Sequence, residues 1–235
     1  MVSLPFQASA ADPASISSHA GVAEARLRHG FGPRVRRLHA RIGKAHHQAE
    51  GMAFSLALLE GQARPRQLAA LIRALAPAYA LLEQEAPALA AALGAEGLPW
   101  EALARRAALE HDLAVLAALP PTPPSAAAAI WLERLHELAQ RAPHRLMAHV
   151  YVRYGGDLSG GQQLAQQANA ILGAQGLPPL SFWVFPEATT ALKQALHNGY
   201  EAMDLSSVEE EELLEEAERA FHTTQRLLAE LEAIT

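Results

Sequence analysis

The chain has 235 residues, enough for one domain with a sizeable core or at most two, and no cysteine, which excludes disulfides, thiolate metal sites and cysteine nucleophiles. Its formal charge of −6, from 19 Lys and Arg against 25 Asp and Glu, argues against a nucleic-acid binder, which would carry a basic face. No apolar run approaches the length of a membrane span and the start MVSLPFQASAADPASISS lacks the basic and apolar regions of a secretory signal, so the protein is expected to be cytoplasmic and free of the membrane.

Residues 1–33 are rich in Ala, Ser and Gly without a sustained period and are expected to form a flexible arm ahead of a helical domain over 34–235. Helical periodicity runs from His39 to Glu60 and ends near Gly61. Pro65 opens a second helix at a favoured early position. Its apolar stripe is Leu68, Leu71, Ile72, Leu75, Tyr79 and Leu82, and Pro77 inside it is expected to kink or break the helix. A third helix is predicted over Trp100–Leu119, stopping at the Pro120–Pro124 cluster, and a fourth over Ala126–Arg141. A fifth spans His144–Gly173 with glycine interruptions. The stretch LPPLSFWVFP (177–186) reads as a loop with short extended character at Phe182–Phe185. A sixth helix covers Thr189–Met203. The last begins at Ser206 or Ser207, each followed three residues later by Glu, and its core face is Leu213, Ala217, Ala220, Phe221, Leu227 and Leu231. The run Glu209–Glu212 reads as a solvated first turn favoured by the helix dipole. No strand pattern appears, so the fold class is all-α, with about seven helices.

Two features point toward a ligand. Of the 11 histidines most are expected at the surface, but imidazole is a natural ligand for iron. The segment HVYVRYGGDLSGGQQLAQQ (149–167) places Gly155, Gly156, Gly160 and Gly161 within helix-forming sequence. Each glycine costs a helix roughly 1 kcal/mol relative to alanine, so the four together cost about 4 kcal/mol. That is a large share of a typical domain stability of about 5–15 kcal/mol. Two explanations stand: a simple helix–turn–helix connection, or a helix whose bare backbone bends and approaches a ligand. LSGGQQ (158–163) also looks like the signature of ABC-transporter ATPases. That motif requires a P-loop, and Gly43-Lys44 is followed by alanine with no glycine at the upstream position.

RYGGDLSGGQ (153–162) resembles the distal-helix motif of haem oxygenases, typically RYLGDLSGGQ, with Gly155 in place of leucine. KAHHQAEGM (44–52) resembles the family's proximal-helix segment. AYALLEQE (78–85), RRAALEHDLA (105–114), RLHELAQRAP (134–143), FWVFP (182–186) and the EEAERAF segment ending at Phe221 follow in the same order. The resemblance covers about residues 36–232. It implies a single-domain fold with haem sandwiched between a proximal and a kinked distal helix. It also implies an enzyme that cleaves haem to biliverdin, CO and ferrous iron, using O2 and electrons from an external donor.

The same resemblance assigns roles. His46 matches the iron ligand. Residue chemistry alone leaves His47 open, and the register of Gln48-Ala49-Glu50 favours His46. Glu50 matches a contact to the ligand's ring; the alternative is an exposed charge. Gly156 and Gly160, with Gly161, let backbone approach the haem. Asp157 orients water for proton delivery, with Tyr79 and Arg153 in its network. The alternatives for these two are a core tyrosine and a surface arginine. His149 reads as a buried or polar-network histidine and not as a ligand. Phe221 is expected to line the haem site.

The propionate anchors depart from the family. Gly43 and His39 lie at family lysine positions before His46, and the usual basic pair of the sixth helix falls near Ala195–Leu196 and Gly199–Tyr200. Tyr151 matches a propionate contact directly, and Arg41, Lys193 and His197 are candidates. This leaves the ring's rotation open, with the IXα isomer of biliverdin favoured. The alternative function is a non-catalytic haem-binding or trafficking protein on the same fold. A carboxylate or mixed metal site is disfavoured because His46/Glu50 and Glu110/His111 make no paired set. Expected partners are a ferredoxin- or reductase-type donor, or a small reductant. A bacteriophytochrome apoprotein as biliverdin acceptor and a role in iron acquisition are both open.

Overall fold

The computed structural model describes residues 31–234; of the expected arm, residues 1–30 lie outside the described residues. Phe31 is already part of the core, with its ring 5.0 Å from His39 and 4.5 Å from His197. Among the described residues there are helices and no strand.

Helix α1 (Pro33–Glu50) begins earlier than its sequence period suggests. Pro33 sits at the first helical position, and the first amides are satisfied from afar: Glu201 accepts from the backbone N–H of Arg34 at 3.2 Å and of Val35 at 2.7 Å. The cap comes from a distant helix and leaves no local signature. Gly32 leaves room for that carboxylate: a Cβ would stand 2.2 Å from the Glu201 carboxyl carbon, so a side chain there would displace the Glu201 side chain. Val35, Leu38, Ile42, Ala45 and Ala49 form the buried stripe.

The predicted helix to Glu60 is two helices. The chain breaks at Gly51-Met52, and α2 (Ala53–Leu59) follows with extended Met52 as its cap. The Ser55 hydroxyl donates to the Ala49 carbonyl at 2.7 Å across the break. Gly61, at φ 72°, ends α2.

Helix α3 (Pro65–Ala92) runs through Pro77 and Pro87 without interruption, so the expected break at Pro77 is absent. It packs on five other helices, and burial of Leu68, Ile72, Leu75, Tyr79 and Leu82 outweighs the missing ladder bonds.

The predicted third helix is divided into α4 (Trp100–Leu103) and α5 (Arg106–Leu116). The division has a tertiary cause. The Glu83 carboxylate of α3 accepts from the backbone N–H of Arg105 and of Arg106, so the amides that open α5 are met by another helix. Helix α6 (Ala126–Arg141) starts on Ser125, whose hydroxyl accepts from Ala128 N–H at 2.9 Å.

Helices α7 (Pro143–Ser159) and α8 (Gly161–Gly173) meet at Gly160, which keeps right-handed helical angles (φ −76°, ψ −21°). Gly155 and Gly156 lie inside α7. The glycine-rich segment is therefore a bend in near-continuous helix, not a reversing connection. The loop after α8 forms a turn at Phe182-Trp183, not an extended stretch. Asp112 causes this by accepting from Ser181 N–H at 2.7 Å and Phe182 N–H at 2.8 Å.

Helix α9 (Thr189–Ala202) leads to α10 (Ser207–Glu232), whose cap is Ser206. Ser206 N–H donates to Glu209 at 2.9 Å and Glu209 N–H to the Ser206 hydroxyl at 3.3 Å. The acidic first turn is not simply solvated. Glu210 and Glu211 pair with Arg34, Arg37 and Arg41 of α1, and Glu212 pairs with His144 at 2.7 Å and Arg145 at 2.8 Å. The expected core face of α10 is buried throughout. Both α1 and α7 pack along α10 and make few contacts with one another, so α10 is the floor of the cleft between them in which a ligand could lie.

Candidate active site

The two walls of the cleft meet at one end. There His39 of α1 and Tyr151 of α7 stand with ring centroids 6.1 Å apart, and His197 of α9 lies 6.0 Å and 6.1 Å from them. At the other end α2 packs on α8.

On α7, His149, Arg153 and Asp157 share one face at four-residue spacing. Asp157 is buried. The Tyr79 hydroxyl of α3 donates to its Oδ2, Arg153 Nε donates to the Tyr79 oxygen at 3.3 Å, and Arg153 Nη2 stands 3.8 Å from Asp157 Oδ1. Burial raises the Asp157 carboxyl above its ordinary range, against the opposing pull of Arg153 and the Tyr79 hydrogen bond. Burial also pushes the Tyr79 phenol well up, so it remains a donor. Tyr154 and Phe182 set their rings edgewise on Tyr79, at 5.4 Å and 5.3 Å.

Packing distinguishes the two histidines of the predicted proximal pair. His46 Nδ1 is 3.5 Å from Glu50, and its ring stands 5.5 Å from that of Phe221 on α10. His47 shares the same carboxylate at 3.8 Å, but its side chain is 90% exposed against 52% for His46. Only His46 leans on the helix that forms the cleft floor.

The glycines divide in two. A Cβ added at Gly43, Gly156 or Gly160 would meet nothing within 4 Å, so the space beside them is open. Gly161 is different: it is buried, and a Cβ there would stand 2.7 Å from the Trp183 ring. Its place is against the 181–185 loop and not on the open face.

Of the anchor candidates, Tyr151 and His197 come together with His39, and Lys193, one turn before His197, acts on it electrostatically. Burial first, then His39 and Lys193, lower His197 to about 4. Arg41 is instead taken by Glu211. The Tyr151 hydroxyl is the informative atom. It belongs to a residue only 3% exposed and has no hydrogen-bond partner. A buried orphan hydroxyl is costly, and a carboxylate arriving beside it would satisfy it. That atom, the Cβ-free backbone at Gly43, Gly156 and Gly160, and a half-exposed imidazole fit a flat dianionic macrocycle bound through iron.

Several supporting residues escaped the sequence reading. Glu83 accepts from the Tyr154 hydroxyl at 3.2 Å as well as opening α5. The buried Arg105 donates to the carbonyls of Phe182 and Val184, holding the loop that backs Tyr79. Asp112 holds the same loop by its amides. None of these has a local sequence signal, because each partner lies 22 or more residues away.

Fold and site together define the class: an all-helical protein with a site suited to a flat anionic macrocycle. The heme oxygenase family model matches residues 35–230. Heme oxygenase 1 of Pongo abelii is 32% identical over 209 residues, covering 81% of this chain and 69% of the relative. The crystal structure of heme oxygenase-1 from the cyanobacterium Synechocystis, in complex with heme, superimposes with a TM-score of 0.77 at 26% identity, over 86% of this chain and 93% of that one. Heme oxygenase from Leptospira interrogans gives 0.74 at 27% identity, over 82% and 97%. The chain belongs to the heme oxygenase family, and its activity is the oxidative degradation of haem. No helix among the described residues is long and apolar enough to cross a membrane.

Proposed function

We propose that haem lies in the cleft between α1 and the α7–α8 bend, with His46 as the iron ligand and Asp157 as the group that manages protons on the opposite side. Haem, when bound, supplies the iron at which O2 is activated and the ring that is opened.

One observation carries this reading: Asp157 is buried and held by Tyr79 and Arg153 immediately beside backbone that has no side chain on its open face. A buried carboxylate in that setting is costly and is not needed for binding alone. His46 directs Nδ1 at Glu50, which leaves Nε2 as the donor to iron, and the edge contact with Phe221 fixes the ring's rotation. Gly156 and Gly160 let the α7–α8 backbone approach the haem face without a Cβ between them. Tyr151, Lys193, His197 and His39 receive the propionates. Asp157, with the Tyr79 hydroxyl at Oδ2, orients water and passes a proton toward the reacting oxygen. The products are biliverdin, with the IXα isomer favoured, CO and ferrous iron. The chain has no cysteine to hold an iron–sulfur centre, so electrons arrive from an external ferredoxin- or reductase-type donor or a small reductant.

The test is direct. Hemin added to the protein is expected to give an axial-imidazole Soret band, and a reductant in air then converts it to a biliverdin spectrum. Stable haem that never degrades would leave a binding protein only; no haem binding would refute both readings.

A further inference from the structure

Beyond Asp157, α7 enters a second buried polar group. Trp131 of α6 donates its indole N–H to His149 Nδ1 at 3.1 Å. An indole nitrogen only donates, so Nδ1 is the acceptor and the His149 proton sits on Nε2. That nitrogen faces Glu216 Oε1 of α10 at 3.2 Å. His149 and Glu216 are each 1% exposed. Glu216 also accepts from Arg134 Nε at 3.2 Å and Nη2 at 2.8 Å, and Arg219 and Arg145 stand 3.4 Å and 3.6 Å away. Burial alone would raise this carboxyl, but His149 and Arg134 hold it below its ordinary range. Burial keeps the His149 imidazole neutral by lowering its pKa.

The other face of this group is Arg153. Its guanidinium carbon lies 5.8 Å from the Trp131 ring centroid and 5.7 Å from that of Tyr79, so the cation is walled by two aromatic rings. The Tyr79 wall is part of the catalytic group already described; the Trp131 wall is set by His149.

We propose that Glu216, His149 and Trp131 are positioning residues: Glu216 orients His149, His149 orients the indole, and the indole holds Arg153 on the Tyr79–Asp157 pair. Helix α10 thus reaches both sides of the cleft, through Phe221 to His46 and through Glu216 to Asp157. Charged or titratable groups acting on Asp157 come from α3 (Tyr79), α7 (Arg153) and the start of α5 (Arg105), and only Arg153 is walled by Trp131. Displacing it removes the largest opposing influence on that carboxyl.

The proposal rests on Asp157 as the proton-managing group, so its test includes a measurement that does not need that assignment. In the haem-free protein, carbon-13 NMR follows the Asp157 side-chain carboxyl through a pH titration, with Asp157→Asn identifying the signal. His149→Leu is expected to move the midpoint upward and to slow haem degradation about tenfold, short of the loss from removing a general acid–base group itself. His149→Gln, which can accept from the indole and donate to Glu216, is expected to restore both. Trp131→Phe keeps an aromatic face beside Arg153 but removes the indole N–H with its five-membered ring, and is expected to shift the midpoint in the same direction; it decides the matter if His149→Leu does not fold. An Asp157 midpoint unchanged in a folded His149→Leu, or in Trp131→Phe where His149→Leu does not fold, overturns the proposal. A shifted midpoint without loss of activity would uphold the positioning by Glu216, His149 and Trp131 and refute the role of Asp157.

Discussion

The Trp183 ring and Gly161 are in contact so close that the glycine admits no side chain: an added Cβ would stand 2.7 Å from Trp183 Cδ1 and 3.2 Å from Nε1. The loop carrying Trp183 is held at four points, by Asp112, Arg105, Asn169 and Gln162, so the indole has little freedom to retreat. Gly161→Ala is therefore expected to cost about 1–3 kcal/mol, as overpacking of a fixed core does. Gly156→Ala has the opposite signature. Its Cβ meets nothing, and alanine favours helix by up to about 1 kcal/mol. Thermal melts of the haem-free variants should show Gly161→Ala falling and Gly156→Ala level or higher, while Gly156→Ala still impairs haem degradation by placing a methyl in the cleft. A drop in stability for Gly156→Ala would show that its face is not open.

Asp157→Asn preserves shape and leaves the Tyr79 hydroxyl an oxygen to donate to, but removes the ionisable group. Haem should bind with an unchanged Soret band, and its degradation should slow by about a hundredfold or more. Tyr79→Phe removes one hydrogen bond from a buried carboxyl and is expected to lower stability by about 1–3 kcal/mol. The lost hydrogen bond had held the Asp157 carboxyl down, so its titration moves further up. Unchanged turnover in Asp157→Asn would remove this residue from the mechanism.

The limits of the sequence follow the same physics. Period and local caps are enough wherever a helix is bounded by its own neighbours: Ser206 and Glu209 open α10, and Pro65 with Gln67 opens α3, with Gln67 Oε1 accepting from Arg64 N–H at 2.8 Å. Boundaries set from a distance were illegible. Glu201 starts α1 and Glu83 starts α5 from other helices, so a period count placed the first start late and missed the second. The four glycines looked alike as letters. Only the loop returning from residue 183 separates Gly161 from Gly156 and Gly160. Likewise His46 and His47 are distinguished by Phe221, 174 or more positions away in the chain.

Acid should weaken the haem-free protein through His197. This group is buried and held to about 4, below the ordinary value of 6.5. Between those two values the unfolded chain binds the extra proton. The contribution to stability is thus complete above 6.5 and is lost as pH falls toward 4. His149, also lowered by burial, acts in the same direction, whereas Glu212, held near 2, withdraws its contribution only below the ordinary carboxylate range. Melting temperature is expected to fall from pH 7 to pH 4, and His197→Gln should flatten part of that slope. Haem should flatten it too, because a propionate beside His197 favours the charged ring. An equal slope with and without haem would place the propionates elsewhere.

The choice of iron ligand can be made without activity. His46 leans on Phe221 and holds Nδ1 toward Glu50, so its Nε2 has a fixed direction; His47 also faces Glu50, at 3.8 Å, but its side chain is 90% exposed. His46→Ala is expected to lose the axial-imidazole spectrum, and added imidazole should restore it by occupying the space left by the ring. His47→Ala is expected to keep the spectrum and the affinity for hemin. Glu50→Gln keeps an acceptor near Nδ1 but removes its charge, which lowers the basicity of the ligand. Affinity should then fall about tenfold or more while the spectrum stays of the imidazole type. If His46→Ala retained the full spectrum and His47→Ala lost it, α1 would have to rotate on α10 to bring His47 inward. The buried stripe of Leu38, Ile42, Ala45 and Ala49 opposes that rotation.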